Sequence, residues 1–468
     1  MRSWCPLIQS STFFVPNCKI QMLDKLTRVS QKFSPGLRKI ISNTAWLFGE
    51  KILQMGLGLL VGVWVARYLS PEKFGLLNYA IAFVGLFSPI ATLGLGQIVV
   101  RDLAKDPSCK EETLGTAFVL KLLGGIVTLL LTVGTAVLLK PEDTLTQWLV
   151  GIAATGTIFM AFECIDFWFQ SQVQSKYTVW STNSAYLLIN GVKIALIQMG
   201  APLIAFSCAL TAEKAMGGVA LAITYHTKGH FLKAWRFSFA RAKYLLVQSW
   251  PLILSGFVIM IYMRIDQVML GQMRDNTEVG IYSAAVKVSE LWYFIPGAIV
   301  QSVFPSIVKA KEISEAVYEE RLQKLFDIMS LISYSVAIPL TIFSGQIVTL
   351  LYGQKYAASA PSLAVLIWAG LFVSLGLARS PSLITEGLMK FSAATAAVGA
   401  AVNMVFNFLL IPSYGGLGAG IATVIAQMVA AYGAHALYPK TRKIFIKQTR
   451  SLLLLDLIKD LLKRARSN

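Results

Sequence analysis

Charge is what this sequence has least of. Only 14% of its 468 residues are Asp, Glu, Lys or Arg, and the 24 acids are outnumbered by 42 bases. With 55% hydrophobic residues and a mean hydropathy of +0.62, the chain falls outside the composition of water-soluble domains, in which about a quarter of residues are charged. Histidine is almost missing: His226, His230 and His435 are the three present. His226 and His230 stand four apart beside Lys228 and Lys233 with no Cys or carboxylate partner, which reads as a solvated loop and not a metal site. The five cysteines (Cys5, Cys18, Cys109, Cys164, Cys208) show no paired spacing, which argues against a disulfide framework. No G-x-x-x-x-G-K-[ST] loop occurs, so ATP hydrolysis by a P-loop is excluded. No Ser/His/Asp grouping stands out. The expectation is a protein that is not an enzyme and uses no cofactor.

What fills the chain is a dozen apolar runs, each long enough to cross about 30 Å of hydrocarbon at about 1.5 Å per residue. They are 43–69, 75–99, 113–139, 145–170, 178–199, 201–225, 244–271, 279–306, 325–352, 358–380, 389–411 and 414–438. On this reading 31 of the 42 bases fall on one face, counting Arg379 and Lys390 at the inner ends of their spans, 4 on the other and 7 within spans. Cytoplasmic loops carry the Lys/Arg excess, so both termini are expected in the cytoplasm. The net charge of +18 is then a topology signal and an attraction to anionic headgroups; nucleic acid is not an expected partner.

The outward loops are short, as in Ser70-Pro71-Glu72-Lys73-Phe74, leaving no room for an outer domain. Segment 226–243 is basic and lies at the midpoint of the spans. Phe74-Gly75-Leu76-Leu77-Asn78-Tyr79-Ala80 and Val279-Gly280-Ile281-Tyr282-Ser283-Ala284-Ala285 resemble each other, each following an acid, Glu72 or Glu278. Two halves of six spans related by an axis along the membrane normal follow from this repeat. The predicted division is an N-terminal tail 1–42 (with 1–21 resembling an upstream extension), an N-half 43–225, a linker 226–243, a C-half 244–438 and a tail 439–468. Within that last tail, 443–466 reads as a basic amphipathic helix lying on the inner leaflet.

Setting Asp327, Arg379 and Lys390 aside at the inner span ends, thirteen ionisable residues fall inside spans, seven basic and six acidic, at a cost of about 2.5–3.5 kcal/mol each on insertion scales. Counting about 1.5 Å per residue, Lys193, Arg264, Asp266, Lys287 and Glu290 lie outward of the midplane. Glu50, Lys51, Lys121, Glu163 and Asp166 lie inward of it, and Glu213 and Lys214 near it. Arg264 and Asp266 point nearly oppositely, so each needs a partner from another span. The repeat-mates of Lys287 and Glu290 are Ala82 and Gly85, whereas an architectural bridge would appear in both halves. The expectation is a charged cavity. Pro89 and Pro296 mark candidate hinges.

The run Ala66-Arg67-Tyr68-Leu69-Ser70-Pro71-Glu72-Lys73-Phe74-Gly75 with Gly94-Leu95-Gly96 resembles polysaccharide-biosynthesis flippases of the Wzx type. So do Arg264-Ile265-Asp266-Gln267-Val268-Met269-Leu270-Gly271 and Gly280-Ile281-Tyr282-Ser283-Ala284-Ala285. A further block is Asn403 and Asn407 followed by Leu410-Ile411-Pro412 and Gly415-Gly416-Leu417-Gly418-Ala419-Gly420. The resemblance covers about 40–440 and implies the multidrug/oligosaccharidyl-lipid/polysaccharide exporter superfamily. Its implied fold is an all-α integral membrane protein, with 12 transmembrane helices in two pseudo-symmetric six-helix bundles around a central cavity. The implied substrate is an undecaprenyl-diphosphate-linked oligosaccharide, moved from the inner to the outer leaflet of the bacterial cytoplasmic membrane for surface polysaccharide synthesis. Implied partners are membrane lipids, a polysaccharide polymerase and glycosyltransferases. A diphosphate needs bases, for which Lys51, Lys193, Arg264 and Lys287 are the candidates. Asp166, Asp266 and Glu290 are candidates for counter-charges or ion coupling. A drug/cation antiporter of the same superfamily, a lipid II flippase (which typically has fourteen spans) and a non-transporting scaffold remain as other readings.

Overall fold

The computed structural model describes residues 35–455, with side chains from residue 43. The expected upstream extension at 1–21 and the end of the basic tail lie outside the described residues. Among the described residues, every regular element is a helix. In the N-half these are α1 (Pro35–Thr92), α2 (Leu95–Lys105), α3 (Lys110–Leu139), α4 (Thr144–Phe159), α5 (Glu163–Ser171), α6 (Lys176–Gln198) and α7 (Leu203–Thr227). The C-half continues with α8 (Phe239–Met273), α9 (Asn276–Glu290), α10 (Phe294–Ile313), α11 (Glu315–Ile342) and α12 (Ser344–Tyr352). It closes with α13 (Ser359–Leu366), α14 (Ala369–Ala378), α15 (Ser380–Thr385), α16 (Met389–Met428), α17 (Ala434–Leu437) and α18 (Arg442–Leu452).

Nine helical stretches among the described residues are long and apolar enough to cross a membrane. Two of them, Asn43–Lys105 and Met389–Leu437, run to 63 and 49 residues, far beyond the roughly 20 that one crossing needs. Each contains a break, at Ser70 (φ 68°) and at Gly415 (φ 55°). Pro71 follows Ser70 and starts the next helix, where its missing N–H costs nothing. The expected five-residue loop at 70–74 is thus a single non-helical residue. Helix α6, the expected fifth span, is not among the nine; Asn183, Asn190 and Lys193 lower its hydropathy.

The cores show how the halves are joined. One cluster contains Val61, Phe74, Tyr79 and Leu149 from the N-half together with Leu270, Val279, Tyr282, Leu363 and Ile411 from the C-half. Two others stay apart. One, around Leu103, Leu114, Trp168 and Tyr225, belongs to the N-half with Leu245 added; the other, around Ile307, Tyr318, Phe326 and Leu375, belongs to the C-half. The halves are therefore fused at the end bearing Ser70 and Gly280 and carry separate cores at the other.

The linker is bound to the N-half along its length. Arg236 N donates to Glu111 O at 3.1 Å, Ser238 N to Thr116 Oγ1 at 3.1 Å, and Arg241 pairs with buried Asp102 at 3.0 Å. Gly115 permits this approach, since a Cβ there would stand 2.6 Å from the Arg236 backbone. Helix α18 packs on the C-half: Ile444 is buried in its core, Gln448 donates to Ala431 O and Leu375 O, and Ser451 bonds Ser330. For residues 443–452 the expected helix is present, with Lys443 and Arg450 exposed, but Gln448 and Ser451 face protein. Those buried bonds explain the departure from a simple surface-lying helix.

Candidate functional site

The site grows from charges that the helices bring to one place. Glu213 of α7 borders three adjoining chambers of about 230, 250 and 220 Å³. The first is lined by Glu50, Gln54, Glu163, Thr182, Tyr186 and Lys214. The second is lined by Phe74, Asn78, Tyr186, Asn190, Lys193 and Lys287. The third runs along Ile81, Gly85, Ser88 and Thr211. Nearly all these residues come from the N-half; Lys287 reaches in from α9.

Four of the seven predicted site residues converge here. Lys193 Nζ pairs with Glu213 at 3.0 Å. Lys287 Nζ sits 4.5 Å above the Phe74 ring, and the charges within its reach are Lys193, Arg264 and Glu290. The Arg264 stem rests against Gly85, where a Cβ would lie 3.6 Å from its Cγ. Gly85 is the repeat-mate of Glu290, so the repeat departs at the place where the charges meet. Among the described residues neither Arg264 nor Lys287 has a carboxylate within 4.0 Å, in contrast to Lys121, which Glu163 holds at 2.6 Å. Lys287 lines the second chamber, while Arg264 stands close to Lys287 without lining any of the three; two such bases without direct carboxylate partners are the complement of a polyanion.

Three predicted residues lie elsewhere. Lys51 is exposed and borders none of the three chambers; its neighbour Glu50 turns inward to accept from Thr182 at 2.7 Å and Gln54 at 3.1 Å. Adjacent helical positions are about 100° apart, so only one of the two can face the cavity. Asp166 accepts from Gln170 at 2.6 Å beside the first chamber and does not line it. Asp266 is buried in the C-half, turned away from Arg264 as its spacing requires. It accepts from Tyr282 Oη at 2.7 Å, Asn407 Nδ2 at 2.6 Å and Thr423 Oγ1 at 2.5 Å. Asn403 Nδ2 and Asn407 Oδ1 beside it are buried without partners. The signal for this network was present in the sequence as Asn403 and Asn407, but their partner was not. Sequence reasoning gave no role to Tyr186, Arg379 or the polar groups around His435.

Among the described residues the fold is all-helical, with stretches long and apolar enough to cross a membrane and internal chambers lined by charges. Residues 40–311, more than half of the chain, match the family described as polysaccharide biosynthesis protein, and the chain belongs to that family. The resemblance to Wzx-type flippases is thereby borne out. A putative O-antigen transporter of Shigella flexneri is 25% identical over 87% of this chain and 99% of its own length. The probable flippase AglR of Haloferax volcanii is 24% identical over 86% and 84%. Among solved structures, an inward-facing multidrug transporter of the MOP superfamily superposes with a TM-score of 0.69 at 16% identity, covering 86% of this chain and 95% of that one. That last likeness concerns fold alone.

Proposed function

We propose that this protein flips a lipid-linked oligosaccharide, with an undecaprenyl-diphosphate anchor, from the inner to the outer leaflet of a bacterial cytoplasmic membrane. In this reading twelve spans form two six-helix lobes, counting the stretches divided at Ser70 and Gly415 as two crossings each and adding α6. Both termini are cytoplasmic, and surface-polysaccharide polymerase and glycosyltransferases are the functional partners. The observation that carries the proposal is the pair of bases without direct carboxylate partners, Lys287, which lines the second chamber with Lys193, and Arg264, which stands close to Lys287. The diphosphate would lie across them, with Glu213 giving up Lys193 as it arrives. The sugar would occupy the chambers by Asn78, Asn190 and Tyr186, and the prenyl tail would remain in lipid. Asp266 is the ion-coupling carboxylate: Asn403 and Asn407 offer further amide oxygens beside it, and Tyr282 and Thr423 supply hydroxyls, an oxygen set suited to a proton or a hard monovalent cation. Glu290 balances Arg264.

A strain lacking the protein should accumulate lipid-linked oligosaccharide, detected by mass spectrometry of extracted lipids, and lose surface polysaccharide. Unchanged precursor and polysaccharide levels, with raised sensitivity to cationic drugs, would favour the antiporter reading instead.

A further inference from the structure

Arg379 is the only buried Lys or Arg among the described residues with no carboxylate within 4.0 Å. Its side chain is 8% exposed. Nη1 donates to Ala430 O at 2.9 Å and also contacts His435 Nε2; Nη2 donates to Thr395 Oγ1 at 3.4 Å. A guanidinium has donors alone, so His435 Nε2 is the acceptor and the ring carries its proton on Nδ1. That Nδ1 and the hydroxyl of Tyr262 are buried without partners. Ala430 belongs to the π-helical turn Val429–Gly433, a widened geometry that recurs at functional positions.

Capping that turn does not require a charge. Gln448 Nε2, a neutral amide, serves the neighbouring carbonyl of Ala431 at 3.0 Å. The guanidinium must therefore be explained by its charge. Position supplies the explanation. A Cβ on Gly399 would stand 2.7 Å from Ala430 Cβ and 3.3 Å from the Tyr262 ring, so Tyr262 lies against the turn that Arg379 holds. Tyr262 is one helical turn before Asp266 on α8. Thr423, which donates to Asp266, precedes Ala430 by seven residues, about 10 Å of helix. Asp266, Tyr262, Arg379 and His435 thus form one polar line through the C-half, running towards α18 and, in the orientation proposed above, towards the cytoplasm.

We propose that Arg379 is an electrostatic plug in that line, closing the interior of the C-half between Asp266 and the cytoplasm to the coupling cation. The inference rests on the reading of Asp266 as the ion-coupling carboxylate. A fixed positive charge in a narrow polar path repels protons and metal cations alike. Asp266 then exchanges its ion by way of the central cavity alone, and ion movement stays tied to the swing of the halves. The groups facing Arg379 are Tyr262, His435 and Thr395, none of them an acid that would cancel its charge.

The test is ion leak in sealed proteoliposomes containing the full-length protein and no lipid-linked sugar, read with Na+ and pH dyes under an inside-negative potential. Arg379→Gln keeps donors and loses the charge; it should raise passive influx by about tenfold or more, while the wild type and Arg379→Lys stay tight. Adding Asp266→Asn to Arg379→Gln should abolish the leak. A monodisperse Arg379→Gln protein as tight as wild type overturns the plug, as does a leak that survives Asp266→Asn. Should Arg379→Gln not fold, Arg379→His reads the same effect in one protein, tight to Na+ at pH 5.5 and leaky at pH 8; equal flux at both overturns it. Asp266→Asn alone separates the two readings. If ion-driven export is unchanged in that variant, both fail; if it is lost while Arg379→Gln remains tight, the plug alone fails.

Discussion

Gly75 and Gly280, equivalent positions in the two halves, pack backbone to backbone. A Cβ on Gly75 would stand 1.7 Å from Asn276 O, and one on Gly280 would stand 1.9 Å from Pro71 O. No side chain fits between them, so the two halves meet at a contact that only glycine allows. Around it, Gln272 Nε2 donates to Tyr79 Oη at 2.8 Å and Tyr356 Oη to Ala66 O at 2.8 Å, each bond crossing between the halves.

A methyl group at this contact should push the halves apart where they are fused. Overpacking costs about 1–3 kcal/mol, enough to move a conformational equilibrium by roughly one to two powers of ten. Gly280→Ala is expected to raise labelling of a cysteine at Asn78, in the second chamber, by a membrane-impermeant maleimide added outside, and to lower export. Unaltered labelling would show that the contact does not govern access.

Neutralising the unpaired bases should abolish transport without loss of the protein from the membrane. Each charge-assisted contact to a phosphate contributes about 1.5–3 kcal/mol, so Arg264→Ala or Lys287→Ala should cut export by about tenfold or more. Lys51→Ala should leave it intact, because Lys51 is exposed and stands apart from the cluster of Lys193, Arg264 and Lys287. Surface polysaccharide measured alongside lipid-linked precursor is the readout. Full export by both alanine variants would make the charge cluster architectural.

The linker should loosen in acid. His230 Nδ1 lies 2.9 Å from Lys110 Nζ, and its Nε2 accepts from Trp168 Nε1 at 3.2 Å. Burial, and then the Lys110 charge, hold its pKa below the usual 6.5, with Glu111 opposing. The undocked linker therefore binds a proton that the docked one refuses, and docking weakens as pH falls from about 6.5 towards the lowered value. Trypsin cleavage at Lys228 and Lys233 should be faster at pH 5.5 than at pH 7.5, and His230→Gln should flatten that difference. Equal cleavage rates at both pH values in the wild type would refute the latch.

The closeness of Lys193, Lys287 and Arg264 and the need of Asp266 for a partner on another span are readable from residue order, since depth along a helix is a count of residues. Rotation about the helix was less readable. Glu50 and Lys51 share a depth, and only packing decides which turns inward. The Tyr282, Asn407 and Thr423 donors to Asp266 lie 16, 141 and 157 residues away from it, beyond the reach of local pattern. Arg379 reads as an inner-end residue because its position along the span is close to the boundary; in the structure it is buried against Thr395, His435 and a π turn, which no propensity announces.

The way the linker is fastened changes where the molecule divides. Trp168, Lys110, Tyr225 and Glu111 are covered by a strand of chain that follows the sixth predicted span, and Arg241 is the last residue of that strand tied to Asp102. Cutting the chain at Thr227 would strip the first half of its own cover and hand the second half an aromatic strap with nowhere to lie. The first half is therefore complete only with its strap attached. Beyond Arg241 the chain is free of that fastening, and Pro251 interrupts the helical hydrogen bonds of α8 there.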